Sequence, residues 1–136
     1  MSITEYKNLP KLIDFQDVNI GKLYFFEKFV IGEFNEGITI DFENFKETSR
    51  LISKHFSDKD FGFIANRTHS YSLNLIDAKH FNRLFPNLKA YAVVSDALFA
   101  KGVFEVENQF FTYNRKIFKV LDEAIMWVEE NLNHSI

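Results

Sequence analysis

Short apolar runs alternate with longer stretches of helical periodicity along the 136 residues of this chain. Residues 23–26 and 29–34 are rich in aromatic and β-branched side chains, which predicts two strands joined in an antiparallel hairpin. Residues 61–65 and 90–94 are almost continuously apolar, as is typical of strands that are covered on both faces. A last short strand is expected around Ile117.

Between these strands the apolar residues recur with the spacing of amphipathic helices. The first helix is expected to begin near Asp41, whose carboxylate can accept free amide hydrogen bonds, and the second to end near Pro86. A third helix is expected after Ser95, with a cap there, and a fourth close to Leu121. The third helix carries a stripe that we expect to face the core, at positions Phe99, Val103, Val106 and Phe110.

The predicted order of elements is β-β-α-β-α-β-α-β-α. Strands that alternate with helices imply right-handed crossovers between parallel strands. The sequence therefore predicts an α/β fold in which helices cover a mostly parallel sheet that begins with an antiparallel hairpin. Residues 1–17 are interpreted as an N-terminal lead-in and residues 18–136 as one domain.

The composition narrows the class of protein. With 16 Lys+Arg against 19 Asp+Glu, the formal net charge is −3, which argues against the basic surface that nucleic-acid binding requires. Cysteine is absent, so disulfides and thiolate nucleophiles are excluded. The first residues do not resemble a signal peptide, and no run approaches the ~18 apolar residues of a membrane span. We therefore expect a cytoplasmic protein without a transmembrane segment.

Two runs of residues carry a family resemblance: AYAVVS at 90–95, and IF at 117–118 followed by DEAIMWV at 122–128. The first run resembles the fourth strand of the SpoIIAA-like, or STAS/SEC14-type, domain, and the second resembles the closing strand and helix of that domain. Small uncharacterised bacterial proteins of this fold have patterns similar to YFF at 24–26, EG at 36–37, IANR at 64–67 and SYS at 70–72. The resemblance covers about residues 21–132 and implies the fold, but no activity.

The better-known members of this family are anti-sigma-factor antagonists. They are switched by phosphorylation of a serine that lies in an Asp-Ser-x-Gly setting after the third strand. The matching residues here, 66–72, contain hydroxyl groups but neither that aspartate nor that glycine. The resemblance therefore assigns no phosphorylated residue, and the modification state of the hydroxyls within 68–72 stays open.

The polar segment after the buried strand at 61–65 is the strongest candidate for a binding site. Ligands of open α/β sheets bind outside the carboxyl ends of the strands. Arg67 could hold a carboxylate or phosphate, and His69 could titrate near neutral pH. The predicted binding residues are Asn66, Arg67, His69, Ser70, Tyr71 and Ser72. The alternative interpretation is a solvated loop whose hydroxyls cap the next helix.

Signatures of catalysis and of cofactor binding are missing from the sequence. It contains no Gly-x-Ser-x-Gly elbow, phosphate-binding glycine loop or dinucleotide fingerprint. The four histidines lack the spacing of metal ligands; they are His55, His69, His80 and His134. We therefore expect a protein that is not an enzyme and has no metal or cofactor.

Two hypotheses of function remain open. The first is an interaction module that docks a protein partner or associates with itself. Because 17 phenylalanines exceed what we expect one core to enclose, its predicted interface lies in the hairpin, at Phe25, Phe26, Phe29 and Phe34. The alternative is a protein that binds a lipid-like or carboxylate ligand, with Arg67 and Tyr71 at the mouth of an aromatic pocket.

Overall fold

A six-stranded sheet forms the centre of the protein in a computed structural model, which describes residues 1–133. The strands in this part of the chain are β1 (Asp14–Val18), β2 (Gly21–Phe25), β3 (Phe29–Phe34), β4 (Thr39–Ile40), β5 (Phe61–Asn66), β6 (Ser72–Leu73), β7 (Leu88–Val94) and β8 (Arg115–Phe118). The large sheet has the order β1-β2-β3-β5-β7-β8, and the short strands β4 and β6 pair separately.

The strand directions confirm the predicted α/β fold. Strand β2 is antiparallel to β3, which is the expected hairpin, and β3, β5, β7 and β8 are parallel neighbours. Helices connect the parallel strands: α1 (Lys46–Phe56), α2 (Ala78–Leu84) and α3 (Ala100–Asn108), followed after β8 by α4 (Leu121–Asn133). The carboxyl ends of β3, β5 and β7 therefore lie at one edge of the sheet, where the polar segment after β5 begins.

Residues 1–17, which were predicted to be a lead-in, contribute to the fold. Strand β1 pairs antiparallel with β2, so the boundary expected at residue 18 falls inside a strand. A 3-10 turn at Ile3–Glu5 buries Ile3 and is fixed to Glu33, whose carboxylate accepts from the Ile3 amide at 2.7 Å and from Ser2 Oγ at 2.8 Å. Strand β1 lies at the sheet edge and is mostly polar, so its sequence lacks the apolar alternation that identifies a half-buried strand.

The sheet has an apolar core on each face. Side chains from α1, α2 and α3 pack on one face, against strand residues such as Phe63 and Val93. Helix α4 and the N-terminal Ile3 pack on the other, against Ile64 and Ala92. Neighbouring strand residues point to opposite faces, so a strand between two cores is apolar at nearly every position.

The four hairpin phenylalanines are core residues rather than an exposed interface. Phe25, Phe26, Phe29 and Phe34 are each 3 % exposed or less. Phe25 and Phe34 belong to the core under α1–α3, whereas Phe26 and Phe29 stack at 4.8 Å in the core under α4. The expectation of an exposed interface assumed a single core layer. The sheet has a core on each face, and together the two cores enclose all four rings. An exposed apolar surface lies elsewhere.

Helix α3 is present as predicted, but it faces the domain with a different side. The residues of α3 that are buried are Phe104 and Glu107. The stripe expected to be buried is exposed, with Phe99 at 76 %, Val106 at 52 %, and Val103 and Phe110 at 47 % each. Ser95 accepts the Ala97 amide at 3.2 Å, so it caps a turn that precedes the helix rather than the helix itself. The face that is buried carries Glu107, which pairs with two arginines.

Candidate functional site

Asn66, the first residue of the predicted binding segment, makes its side-chain hydrogen bonds inside the protein. Asn66 ends β5 and is buried. Its amide donates to Glu33 Oε2 at 2.7 Å and to the Met1 carbonyl at 3.0 Å. Asn66 therefore joins β5 to the N-terminal segment, and its amide is occupied by contacts within the chain.

Arg67, the next residue, is part of a buried cluster of three charged side chains. Arg67 Nη2 donates to both carboxylate oxygens of Glu107, at 2.8 and 3.0 Å, and Arg115 Nη2 donates to Oε1 at 3.1 Å. The side chains of Arg67, Glu107 and Arg115 are 10 %, 5 % and 0 % exposed. One carboxylate thus holds two guanidinium groups, from the end of β5 and the start of β8, against α3. The cluster carries an excess of one positive charge.

Aromatic rings surround the two arginines. The Arg115 guanidinium lies 4.5 Å from the ring centre of Tyr91, 4.8 Å from that of Phe104 and 4.9 Å from that of Phe111. Several of the arginine nitrogens have no hydrogen-bond partner among the described residues: Arg67 Nε and Arg115 Nε and Nη1. The negative faces of the rings stabilise the unpaired positive charge, which explains how an arginine of zero exposure is tolerated.

Tyr71 packs against Arg67, and the two change each other's ionisation. The Arg67 guanidinium lies 5.0 Å from the Tyr71 ring centre. Burial raises the pKa of Tyr71 although Arg67 acts in the opposite direction. For Arg67, burial alone lowers the pKa, but the negative charges of Tyr71, once it is ionised, and of Glu107 outweigh burial and hold the pKa above its ordinary value. A charged Arg67 and a neutral Tyr71 are therefore the stable forms at neutral pH.

The remaining predicted site residues lie at the surface. His69 and Ser70 are exposed, and the Ser70 amide donates to the Glu36 carboxylate. Ser72 is in β6, and its hydroxyl lies 3.0 Å from the hydroxyl of Thr39 in β4. His69, Ser70, Arg67 and Tyr71 line one crevice of about 360 Å³. The structure therefore brings together Arg67 and Tyr71 in direct contact, with His69 and Ser70 beside them, and places Asn66 and Ser72 in other interactions.

An apolar groove runs along α3. We call it the α3 groove: its walls are Tyr71, Ser72, Leu73 and Leu75 on one side and Leu98, Phe99, Gly102, Val103, Val106 and Glu107 on the other. Its volume is about 650 Å³. The exposed stripe of α3 forms one wall, so the reversed face of this helix and the groove are one feature.

An aromatic cavity lies behind the α3 groove, inside the core under α1–α3. It has a volume of about 50 Å³ and shares Tyr71 and Leu73 with the groove. Its other walls are Phe34, Ile40, Phe45, Phe63, Phe81, Leu84, Phe85, Leu88, Tyr91, Phe111 and Tyr113. The Tyr113 hydroxyl donates to the Phe81 carbonyl and accepts the Phe85 amide, so its polar atom is satisfied within the wall. Tyr71 and Leu73 thus separate a surface groove from a small apolar chamber.

The described residues contain no cluster of side chains that could form a metal centre. Within residues 1–133, no three side chains of His, Cys, Asp or Glu are grouped so that they could hold a metal ion. His134 lies outside the described residues. None of the helices in this part of the chain combines the length and apolar character that crossing a membrane requires.

Sequence reasoning missed Glu107 and Arg115. Phe104, Glu107 and Phe111 have the spacing i, i+3 and i+7, so Glu107 lies on the same helix face as two apolar residues. This position in the sequence indicates that its side chain is buried, as the structure shows. Its partner Arg67 is 40 residues away along the chain, so nothing near Glu107 in the sequence indicates which cation satisfies it.

Comparison with known proteins gives the class of fold. No protein-family pattern and no curated protein matches the chain. A solved structure does match: an uncharacterised protein of the DUF3478 family from Shewanella loihica PV-4, described as having a SpoIIAA-like fold. The match has a TM-score of 0.53 at 14 % sequence identity and covers 90 % of this chain and 98 % of the other. The chain therefore has a SpoIIAA-like fold, which confirms the resemblance inferred from its motifs.

Proposed function

We propose that this protein is a non-enzymatic interaction module that docks a protein partner through the α3 groove. The observation that carries the proposal is the exposed apolar stripe of α3. Leu98, next to the stripe, is 87 % exposed and Phe99 is 76 % exposed. Contiguous exposed apolar side chains on a folded domain mark interaction surfaces, because leaving them in water is unfavourable.

Burial of this surface would contribute part of the free energy that docking requires. Complete burial of one large apolar side chain contributes about 1.5–3 kcal/mol. Phe99 and Leu98 retain most of that energy because they remain largely exposed in the isolated chain. Docking a partner on them would release it.

Helix α3 is held in a defined position before any partner binds. Glu107 is fixed by Arg67 and Arg115, and Phe104 packs beneath the helix. A surface that is ordered in advance loses less conformational entropy on binding. The buried charge cluster is therefore interpreted as support for the docking surface, and not as a binding site of its own.

Site-specific photo-crosslinking in the producing cell tests this function. A photoreactive residue at position 106 is expected to form covalent adducts with protein, whereas the same residue at position 126 is not. Val106 lies in the groove, and Met126 is a comparably exposed apolar residue (62 %) on α4, on the other face of the sheet. Equal adduct formation at the two positions, or none at either, would contradict the proposal.

A second candidate function is the binding of an apolar small molecule, which the aromatic cavity behind Tyr71 and Leu73 favours. Apolar cavities of ~150 Å³ hold one benzene ring. At about 50 Å³ the cavity has room for the end of an apolar chain, and the body of the ligand would lie in the α3 groove. A carboxylate head on Arg67 is disfavoured because Glu107 already occupies that guanidinium.

Matched amphiphiles test the second candidate. Dodecanol and dodecanoate share one chain and differ in the head group, so both are expected to raise the melting temperature to a similar extent if the apolar chain dominates binding. Leu73→Glu, at the mouth of the cavity, is expected to abolish both shifts. No shift with either amphiphile, together with native mass spectra that contain the chain alone, would reject this candidate.

A further inference from the structure

We infer that the partner which fits the α3 groove is a second copy of this chain, with α3 of each copy lying in the groove of the other. This inference rests on the proposed docking function and names its partner. It follows from the shape, charge and size of the surface around α3.

The surface carries a ridge and a groove side by side. Helix α3 is the ridge, and the groove between α3 and the segment from Tyr71 to Leu75 runs along it. A two-fold interface uses the same patch on both copies, so that patch must be complementary to itself. The surface around α3 is complementary to itself in this sense. A two-fold rotation places α3 of each copy over the α3 groove of the other copy.

The groove extends along α3. The nine residues of α3 span about 14 Å, and the groove is lined by α3 from Phe99 to Glu107. Gly102 lies in this wall, and a Cβ atom there would have no neighbour within 4 Å. The absence of a side chain at this point allows a second backbone to approach closely.

The charges on this face favour an uncharged, apolar partner. The charged residues exposed on α3 are Lys101 and Glu105, which have opposite signs. With a net charge of −3, two copies of the chain repel each other only weakly at physiological ionic strength. A surface that is apolar and balanced in charge gives no preference for an acidic or basic partner, and it presents no excess of like charge to a second copy.

The area is that of a weak dimer. A standard interface buries about 800 Å² on each partner. Five exposed apolar side chains, two of them aromatic, supply on the order of several hundred Å² toward that area; these are Leu98, Phe99, Val103, Val106 and Phe110. We therefore expect dissociation at roughly micromolar concentration.

Sedimentation equilibrium of the full chain tests the inference. Between about 1 and 100 μM, the weight-average mass is expected to rise from one chain toward two. Val106→Glu is expected to hold the protein as a monomer over this range, whereas Met126→Glu on α4 is expected to leave the dimer intact. Leu98→Lys serves as a second disrupting variant, because at 87 % exposure its substitution does not disturb the core.

The absence of cysteine allows a direct test of which surfaces meet. Val103→Cys is expected to form a disulfide-linked dimer under mild oxidation, since its two copies lie near the two-fold axis. Met126→Cys is expected to remain monomeric in the same conditions. Helical circular dichroism spectra that match wild type verify that the variants are folded.

A wild-type chain that stays monomeric at the highest concentration, or equal masses for wild type and both disrupting variants, overturns the inference. The photo-crosslinking experiment separates this failure from failure of the proposed function. A monomeric chain whose position 106 still forms adducts with another protein refutes the second copy as partner and retains the docking surface. A monomeric chain without adducts at position 106 refutes both.

Discussion

Glu107 compensates two buried cations with a single carboxylate. Its oxygens accept three hydrogen bonds, at 2.8, 3.0 and 3.1 Å. Transfer of charges from water into the protein interior is costly, and the cost is recovered only through close pairing and hydrogen bonds. The two arginines therefore depend on Glu107, with the surrounding rings as the remaining support.

Replacement of Glu107 is expected to be strongly destabilising. Glu107→Ala leaves Arg67 and Arg115 buried without a counter-charge, and breaking a buried pair in this way costs about 3–5 kcal/mol. Glu105→Ala, on the exposed side of the same helix, is expected to change the free energy of unfolding by less than about 0.5 kcal/mol. Urea denaturation measures both. Similar midpoints for the two variants would mean that the cluster contributes little to stability.

Tyr71 makes the stability of the protein sensitive to alkaline pH. Burial raises its pKa above the ordinary value of 10.0. The unfolded chain therefore releases this proton as the pH rises past about 10, while the folded protein still holds it. Because the folded state binds more protons, the free energy of unfolding falls as the pH rises above that point.

Tyr71→Phe removes this contribution. The variant is expected to lose stability less steeply than wild type between about pH 10 and pH 11, whereas both have nearly constant stability between about pH 7 and pH 9. Chemical denaturation at a series of pH values measures the slopes. Parallel curves above pH 10 would show that the Tyr71 hydroxyl ionises equally easily in both states.

At the scale of elements, α3 was predicted correctly as a helix and incorrectly in its orientation. Apolar side chains cover two adjacent flanks of α3, one containing Phe99 and Val106 and the other containing Phe104 and Phe111. Periodicity identifies the helix from either flank, but it does not decide between them. The flank that is buried also carries Glu107, whose cationic partners come from the residue after β5 and from β8.

Gly102 limits the stability of α3. A glycine in a helix costs about 0.5–1 kcal/mol relative to alanine, and here a Cβ atom would have no neighbour within 4 Å. Gly102→Ala is therefore expected to raise the free energy of unfolding by about that amount, measured by denaturation at low protein concentration.

Gly37 provides the matched control for this substitution. A Cβ atom at Gly37 would also meet nothing within 4 Å, but the backbone has a φ of 78°, which side chains disfavour. Gly37→Ala is therefore expected to destabilise the protein. If both substitutions changed the free energy of unfolding in the same direction, the difference in backbone conformation between Gly102 and Gly37 would not account for the result.

The two cores of the protein account for the abundance of phenylalanine. Twelve of the 17 phenylalanines are buried, ten of them in the core under α1–α3 and two in the core under α4. The apolar runs in the sequence therefore predicted the parallel strands well. They could not predict β1, which is polar and lies at the edge, or the α3 groove, whose walls come from segments that are distant along the chain.

The packing between the sheet and α4 is tight at Gly62. A Cβ atom on this residue of β5 would overlap the Val128 side chain of α4. Gly62→Ala is expected to destabilise the protein by about 1–3 kcal/mol through overpacking. Combining it with Val128→Ala is expected to cost less than the sum of the single variants, since the smaller side chain makes room. If the two costs were strictly additive in a double-mutant cycle, the contact with Val128 would not be the source of the destabilisation by Gly62→Ala.

The contacts of Glu33 form in an order that follows synthesis of the chain. Its carboxylate binds Ser2 and Ile3, but it also accepts the amide of Asn66, which leaves the ribosome 33 residues later. At about 5–20 residues per second, this delay lasts on the order of seconds. During that time Ser2 and Ile3 have no completed strand β5 to pack beside. The contacts of residues 1–3 with Glu33 and Asn66 are thus complete only after β5 has been synthesised.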